Sequence, residues 1–219
     1  MERILAIKID WSVYPDRERK AKFTQKLTPE SPYKSAGVSV LEVKKLAKTI
    51  NDDDIELNYL EDVLLKGAII ASRKESFAEK RKKLEAFYPL FISWVATDSV
   101  APTLYIPKKD KEEAYKYFLD LTEDKDPMTS RFAFVVLMGH FLTEESIDEI
   151  MNKAIAIKTD SYLLKMGIAW LTSSCYIHYP EKDSKYFSLL DKEISKMAKQ
   201  KCRDSKRVRP EAKKSLKNL

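Results

Sequence analysis

Along most of this chain apolar residues recur three and four positions apart, the spacing of a helix that buries one face. Residues 16–27 form an amphipathic stretch rich in Arg and Lys, and Pro29, Pro32 and Gly37 then mark a loop. Ser39 has the position of an N-cap before Val40, Val43, Leu46 and Ala47, with Glu42 placed to close a capping box. After an acidic turn at 51–54, residues 59–71 are apolar almost throughout, which predicts a buried helix. A basic helix over 76–87 precedes Pro89 and a Trp94-centred segment, and Pro102 and Pro107 punctuate the stretch after it.

The second half continues in the same way. Residues 112–121 repeat Tyr, Phe and Leu at helical spacing, and Asp126-Pro127 opens an apolar helix carrying Arg131. Thr143 to Ser146 opens the next helix, and Asp160-Ser161 caps one that carries Trp170 and closes at Pro180. A last long helix is expected over 183–202, followed by a short basic tail over 208–219. Helix pairs of about 30–45 residues suggest an all-α fold, an α-solenoid of stacked antiparallel pairs of HEAT type. No linker interrupts them, so residues 1–219 are expected to form a single domain.

Composition narrows the function classes. Four glycines and nine prolines in 219 residues are too few for a turn-rich all-β protein, while 44% hydrophobic and 34% charged residues suit a helical protein with a core. The net charge of +6 favours acidic partners, with nucleic acid first among them, although 34 acidic residues dilute the 40 basic ones. Two cysteines, Cys175 and Cys202, make neither a disulfide framework nor a zinc site, and Cys175 reads as a small core residue. No apolar run reaches the ~18 residues of a membrane span, and residues 1–8 lack the apolar stretch of a secretory signal. A cytoplasmic, reduced, monomeric protein is expected.

Several chemistries are missing from the sequence. It has no phosphate-cradling Gly-rich loop, no His-Glu-x-x-His and no Cys-x-x-Cys. His140 and His178 stand in different helices as structural or surface residues, and basic runs such as 80–83 read as solvated faces. The chemistry that remains centres on Trp94 and Asp98, four residues apart and so on one face of a helix. An indole beside a carboxylate can hold a sugar and stabilise positive charge developing on it. Each residue has a plainer role as well. Trp94 and Trp170 could fill the core, Asp98 with Ser99 could cap a following helix, and Arg131 could pair with Asp126 or Glu123.

Five blocks together resemble a known family. They are residues 61–67 with Ile69 and Ile70; Trp94, Asp98 and Ser99; Arg131, Phe132, Ala133, Val135, Leu137 and Met138; Tyr162, Met166, Ile168, Ala169 and Trp170; and Lys201, Asp204, Arg207, Val208, Glu211 and Lys213. In these blocks the chain resembles the DNA alkylation repair family, the AlkD-type HEAT-like-repeat glycosylases, over nearly its whole length.

The resemblance implies a C-shaped solenoid with a basic concave face that holds duplex DNA. It implies excision of positively charged N3- or N7-alkylated purines without a base-flipping pocket, a metal or an organic cofactor. By it, Asp98 is the catalytic carboxylate, Trp94 and Trp170 contact the sugar, and Arg131 contacts a phosphate. Lys165, Lys206 and Arg207, within or beside the matching blocks, join Arg131 as DNA-binding candidates. Active members of the family tend to carry a second acidic residue where this chain has Val95, and an arginine within the stretch where it has Leu171 to Ser174, so the chain resembles a divergent branch. Two other functions suit the same scaffold: DNA binding without excision, and protein interaction through a mixed or apolar concave face.

Overall fold

The computed structural model describes residues 6–15 and 17–216. Among the described residues lie twelve α-helices and no β-strand, with isolated backbone bridges joining Ile7 to Ile55 and Lys34 to Tyr59. The chain gathers into two compact units, residues 1–112 and 113–219.

The N-terminal unit contains α1 (Arg17–Leu27), α2 (Val40–Leu46), α3 (Leu60–Ser72), α4 (Phe77–Phe87) and α5 (Trp94–Val100). Asp16, the expected start of α1, lies outside the described residues. The predicted capping box forms on α2: Ser39 Oγ accepts from the Glu42 amide at 3.3 Å, and Glu42 Oε2 accepts from the Ser39 amide at 3.4 Å. Ser76 and Glu79 start α4 in the same manner. Eleven of the thirteen residues of α3 are buried, so this helix is the core of its unit, and α2, α4 and α5 pack on it. Each Leu, Ile or Val it removes from water contributes about 1.5–3 kcal/mol.

The C-terminal unit takes in most of α6 (Lys111–Leu121), then α7 (Pro127–His140), α8 (Ile147–Ala156), α9 (Tyr162–His178), α10 (Pro180–Asp183), α11 (Lys192–Asp204) and α12 (Pro210–Ser215). Asp126 caps α7 by accepting from the Thr129 amide at 2.8 Å, and Ser161 caps α9 by accepting from the Leu164 amide at 3.3 Å. The central helix here is α9, against which α7, α8, α10 and α11 pack. Cys175 on α9 is fully buried, as its apolar surroundings suggested, and Cys202 on α11 is buried too.

Three local expectations change. The Trp170 helix ends at His178, just before Pro180, as expected, but the long helix over 183–202 is broken: α10 begins at Pro180, a 3₁₀ turn runs over Ser184–Ser188, and Asp191 caps α11 afresh. Tyr186, Phe187 and Leu190 are buried at the break, and the Asp191 side chain caps the new helix by accepting from the Glu193 and Ile194 amides. The basic tail is docked as far as it is described. Val208 and Leu216 are buried on either side of α12, and Tyr176 Oη donates to the Ala212 carbonyl at 2.9 Å; residues 217–219 lie outside the described residues. Within the basic run at 80–83, Lys80 is fully buried and donates to three backbone carbonyls.

No helix among the described residues is long and apolar enough to cross a membrane. No cluster of His, Cys, Asp and Glu among them could hold a metal ion.

Candidate nucleic-acid interface

In the N-terminal unit the candidate residues sit on α5. Its inner side buries Ala96, Thr97 and Val100, leaving Trp94, Val95, Asp98 and Ser99 half-exposed. Trp94 is the first helical residue, and its indole Nε1 donates to the Leu27 carbonyl at the end of α1, 2.9 Å away. That bond leaves the indole on the wall of a groove of about 1620 Å³ running between α1 and the α3–α5 face. Val38, Leu64, Val95 and Ser99 line the same side.

The opposite wall is α1, which buries none of its residues. It carries Arg17, Arg19, Lys20, Lys22 and Lys26 against the single acid Glu18, which pairs with Lys22 at 2.7 Å. Phe23, 63% exposed, and Leu27 also border the groove. Cations interleaved with aromatic and aliphatic surface are what a nucleic-acid strand requires: charge for phosphates and flat apolar faces for sugar or base.

The groove is shaped by Glu61, which is 2% exposed. Its carboxylate accepts from Ser35 Oγ (2.7 Å) and from the amides of Ala36 (2.7 Å), Gly37 (3.0 Å) and Val38 (3.2 Å). These bonds hold the 35–38 loop beneath α1. Gly37 has φ +79°, and a Cβ there would lie 2.0 Å from the Arg17 carbonyl oxygen, so only glycine allows this approach. Sequence reasoning placed Glu61 in a matching block without giving it a role. Its one local signal was an acidic residue ahead of the apolar run of α3.

Asp98 lies one turn beyond Trp94, and its Oδ1 accepts from Thr97 Oγ1 at 3.0 Å. It stands inside α5 and caps no following helix. Asp98 is not among the residues that line the groove beside Trp94.

The remaining candidates belong to the C-terminal unit. Arg131 on α7 is 5% exposed, and its guanidinium donates to the Leu163 carbonyl in the first turn of α9. Gly167 leaves room for it, since a Cβ there would lie 3.0 Å from Arg131 Cγ and 3.2 Å from its Nη1. Nearby, Asp126 accepts from Thr129, and Glu123 pairs with Lys153 at 2.7 Å. Trp170 is half-buried on α9, one turn beyond Gly167. Lys165 is paired with Glu193 at 2.5 Å, and that contact raises its pKa. Lys206 and Arg207 are exposed, and Arg207 Nη2 lies 3.0 Å from Nε2 of the exposed His178. Trp94 and Asp98 are thus grouped on one helix, and Arg131 with Lys165 and Trp170 on the α7–α9 pair.

No family model, curated protein or solved structure matches the chain.

Proposed function

We propose that this protein binds duplex DNA and releases positively charged N3- or N7-alkylated purines from it, using a scaffold of HEAT-like helix pairs. The observation that carries the proposal is Trp94 on a groove wall opposite the cationic helix α1, with the Asp98 carboxylate one turn along the same helix. The succession of packed helices within each unit supports the scaffold, and the five matching sequence blocks support the substrate.

An alkylated purine already bears positive charge, so it departs without a general acid. As the C1′–N bond breaks, its electron pair neutralises the purine and leaves an oxocarbenium-like sugar. Asp98 stabilises that charge and orients a water, whose oxygen bonds to C1′ while its proton passes to the carboxylate or to solvent. The indole face of Trp94 attracts the polarised sugar. Exposed Lys206 and Arg207 contact phosphates, which set position without reading sequence. Arg131, buried and bonded to Leu163, acts in this scheme by holding α7 against the start of α9.

A second reading, DNA binding without excision, is favoured by the Thr97–Asp98 bond and by the position of Asp98 off the groove wall. Duplex DNA carrying one 7-methylguanine separates the two. Release of free base by the wild type, lowered at least about tenfold in Asp98→Asn with circular dichroism unchanged, is expected for the enzyme. Equal release by both proteins removes Asp98 from catalysis. Bound DNA without release selects the second reading, and absence of DNA binding removes both.

A further inference from the structure

The C-terminal unit has a second cationic feature that the Trp–Asp chemistry does not use. Lys192, Lys196, Lys199 and Arg203 follow one another on α11 at spacings of four, three and four, so they form a single stripe. All four line a groove of about 330 Å³ together with Phe187, Ser188, Leu190 and Ser195, and no acidic residue lines it. The two acids of the helix are turned to other groups: Glu193 pairs with Lys165, and Asp204 accepts from Gln200 at 2.8 Å. Lys192, Lys196 and Lys199 form no ion pair with any described residue, and Arg203 bonds to the neutral Gln200 side chain at 3.4 Å. Four like charges one turn apart repel each other, so such an arrangement favours an anionic partner that runs the length of the helix.

Packing makes the stripe a fixed ruler. The opposite face of α11 buries Ile194, Ala198 and Cys202, and the helix packs on α9. Ser195 Oγ donates to the Phe187 carbonyl at 2.6 Å, tying the helix to the turn before it. From Lys192 to Arg203 the axis advances about 16 Å, the axial rise of about five base pairs at ~3.4 Å each. A membrane surface would call for large apolar side chains exposed beside the cations. On α11 the apolar residues are buried, apart from half-buried Met197.

We propose that α11 is a nucleic-acid backbone site, in which Lys192, Lys196, Lys199 and Arg203 contact successive phosphates of one strand. The inference rests on the reading that the protein engages DNA, and it holds whether or not a base is excised. Such a site adds affinity without sequence preference, and its signature is the salt dependence of binding, because each phosphate neutralised releases counterions.

The test is anisotropy of a fluorescein-labelled 20-base-pair duplex over a KCl series. The proteins are the wild type, the quadruple variant Lys192→Gln, Lys196→Gln, Lys199→Gln, Arg203→Gln, and a control with Gln at the exposed Lys108, Lys109 and Lys111. In the quadruple variant the slope of log K against log[KCl] should become shallower by about 3.6, at roughly 0.9 per lost contact, with affinity at 100 mM KCl down at least about tenfold. The control should lie near the wild type, and Arg at the three lysine positions should keep the wild-type slope. Circular dichroism confirms that each variant is folded. A quadruple variant with the wild-type slope, or one no different from the control, overturns the inference and leaves the excision proposal standing. A wild type that binds anionic vesicles and not DNA overturns it as well. A shallower slope without any base release supports the α11 site while excision fails.

Discussion

In the N-terminal unit, Glu61, Asp62 and Lys80 are each no more than 2% exposed, and each is met by at least three hydrogen bonds. In the C-terminal unit Asp183 is fully buried at the end of α10, and neither of its carboxyl oxygens has a hydrogen-bond partner among the described residues. The difference separates two uses of buried charge. Glu61 ties down the 35–38 loop, and Asp62 accepts from Trp11 Nε1 (2.7 Å) and from the Asn58 and Tyr59 amides. Lys80 caps the end of α3 through the Ile70, Ala71 and Arg73 carbonyls. Each of these charges exchanges water for protein dipoles and fixes backbone that would otherwise be loose. Asp183 ties nothing, and burial pushes its pKa up to about 8, so it is held as the neutral acid at neutral pH.

The largest effect should come from cutting one of the ties. Lys80→Met keeps the length of the side chain but removes the ammonium from three carbonyls, of which Ala71 keeps the Tyr105 amide at 2.8 Å. Unfolding in urea should show a loss of about 3–4 kcal/mol. A loss below about 1 kcal/mol would mean that the three bonds are not what holds the end of α3.

Next is Asp183, where the sign depends on pH. The folded carboxyl keeps its proton up to about pH 8, whereas the unfolded one loses it near 3.8. Between those values the folded state binds more protons, so stability from this group is complete below about pH 4 and falls as pH rises through 8. Asp183→Asn cannot ionise. It should match the wild type near pH 4 and be clearly the more stable of the two at pH 8. Lys80 contributes the opposite limb. Burial lowers its pKa from 10.5 to about 8, so stability from it rises between those values. Thermal midpoints across pH 4–10 should therefore pass through a minimum near pH 8, and Asp183→Asn should remove the falling limb alone. A variant that still falls between pH 4 and 8 would assign that limb to other carboxylates.

The smallest effect should come at the edge of the groove. Trp94→Phe keeps an aromatic face and loses the bond to the Leu27 carbonyl. It should cost about 1 kcal/mol in stability and under about threefold in DNA affinity. A much larger loss of affinity would show that the tie to α1, more than the aromatic face, makes the groove.

Local physics was legible in the residues. The Ser39–Glu42 box, the Asp126 and Ser161 caps, the buried run of α3 and the core position of Cys175 each depend on side chains within a turn or on composition. The placement of Trp94 and Asp98 on one helix was legible for the same reason. The break before α11 was hidden because residues 183–202 are acceptable helix formers with their apolar residues at helical spacing. Lys80 looked like one more solvated lysine, since nothing within four residues of it marks the α3 carbonyls that receive it.

The sequence by itself determined an all-helical chain, where most of its helices begin, and which helices are apolar enough to form the core, because periodicity and capping act over a turn or two. Only the tertiary structure decided what surrounds the charged and aromatic side chains. Trp94 borders a groove because its indole meets a carbonyl 67 residues earlier, Glu61 is saturated by a loop 23 to 26 residues before it, and Arg131 is enclosed by a helix 32 residues beyond it. Whether a polar group faces water, a dipole or nothing depends on segments far away along the chain. That surrounding, more than residue type, fixes its charge and its availability to a ligand.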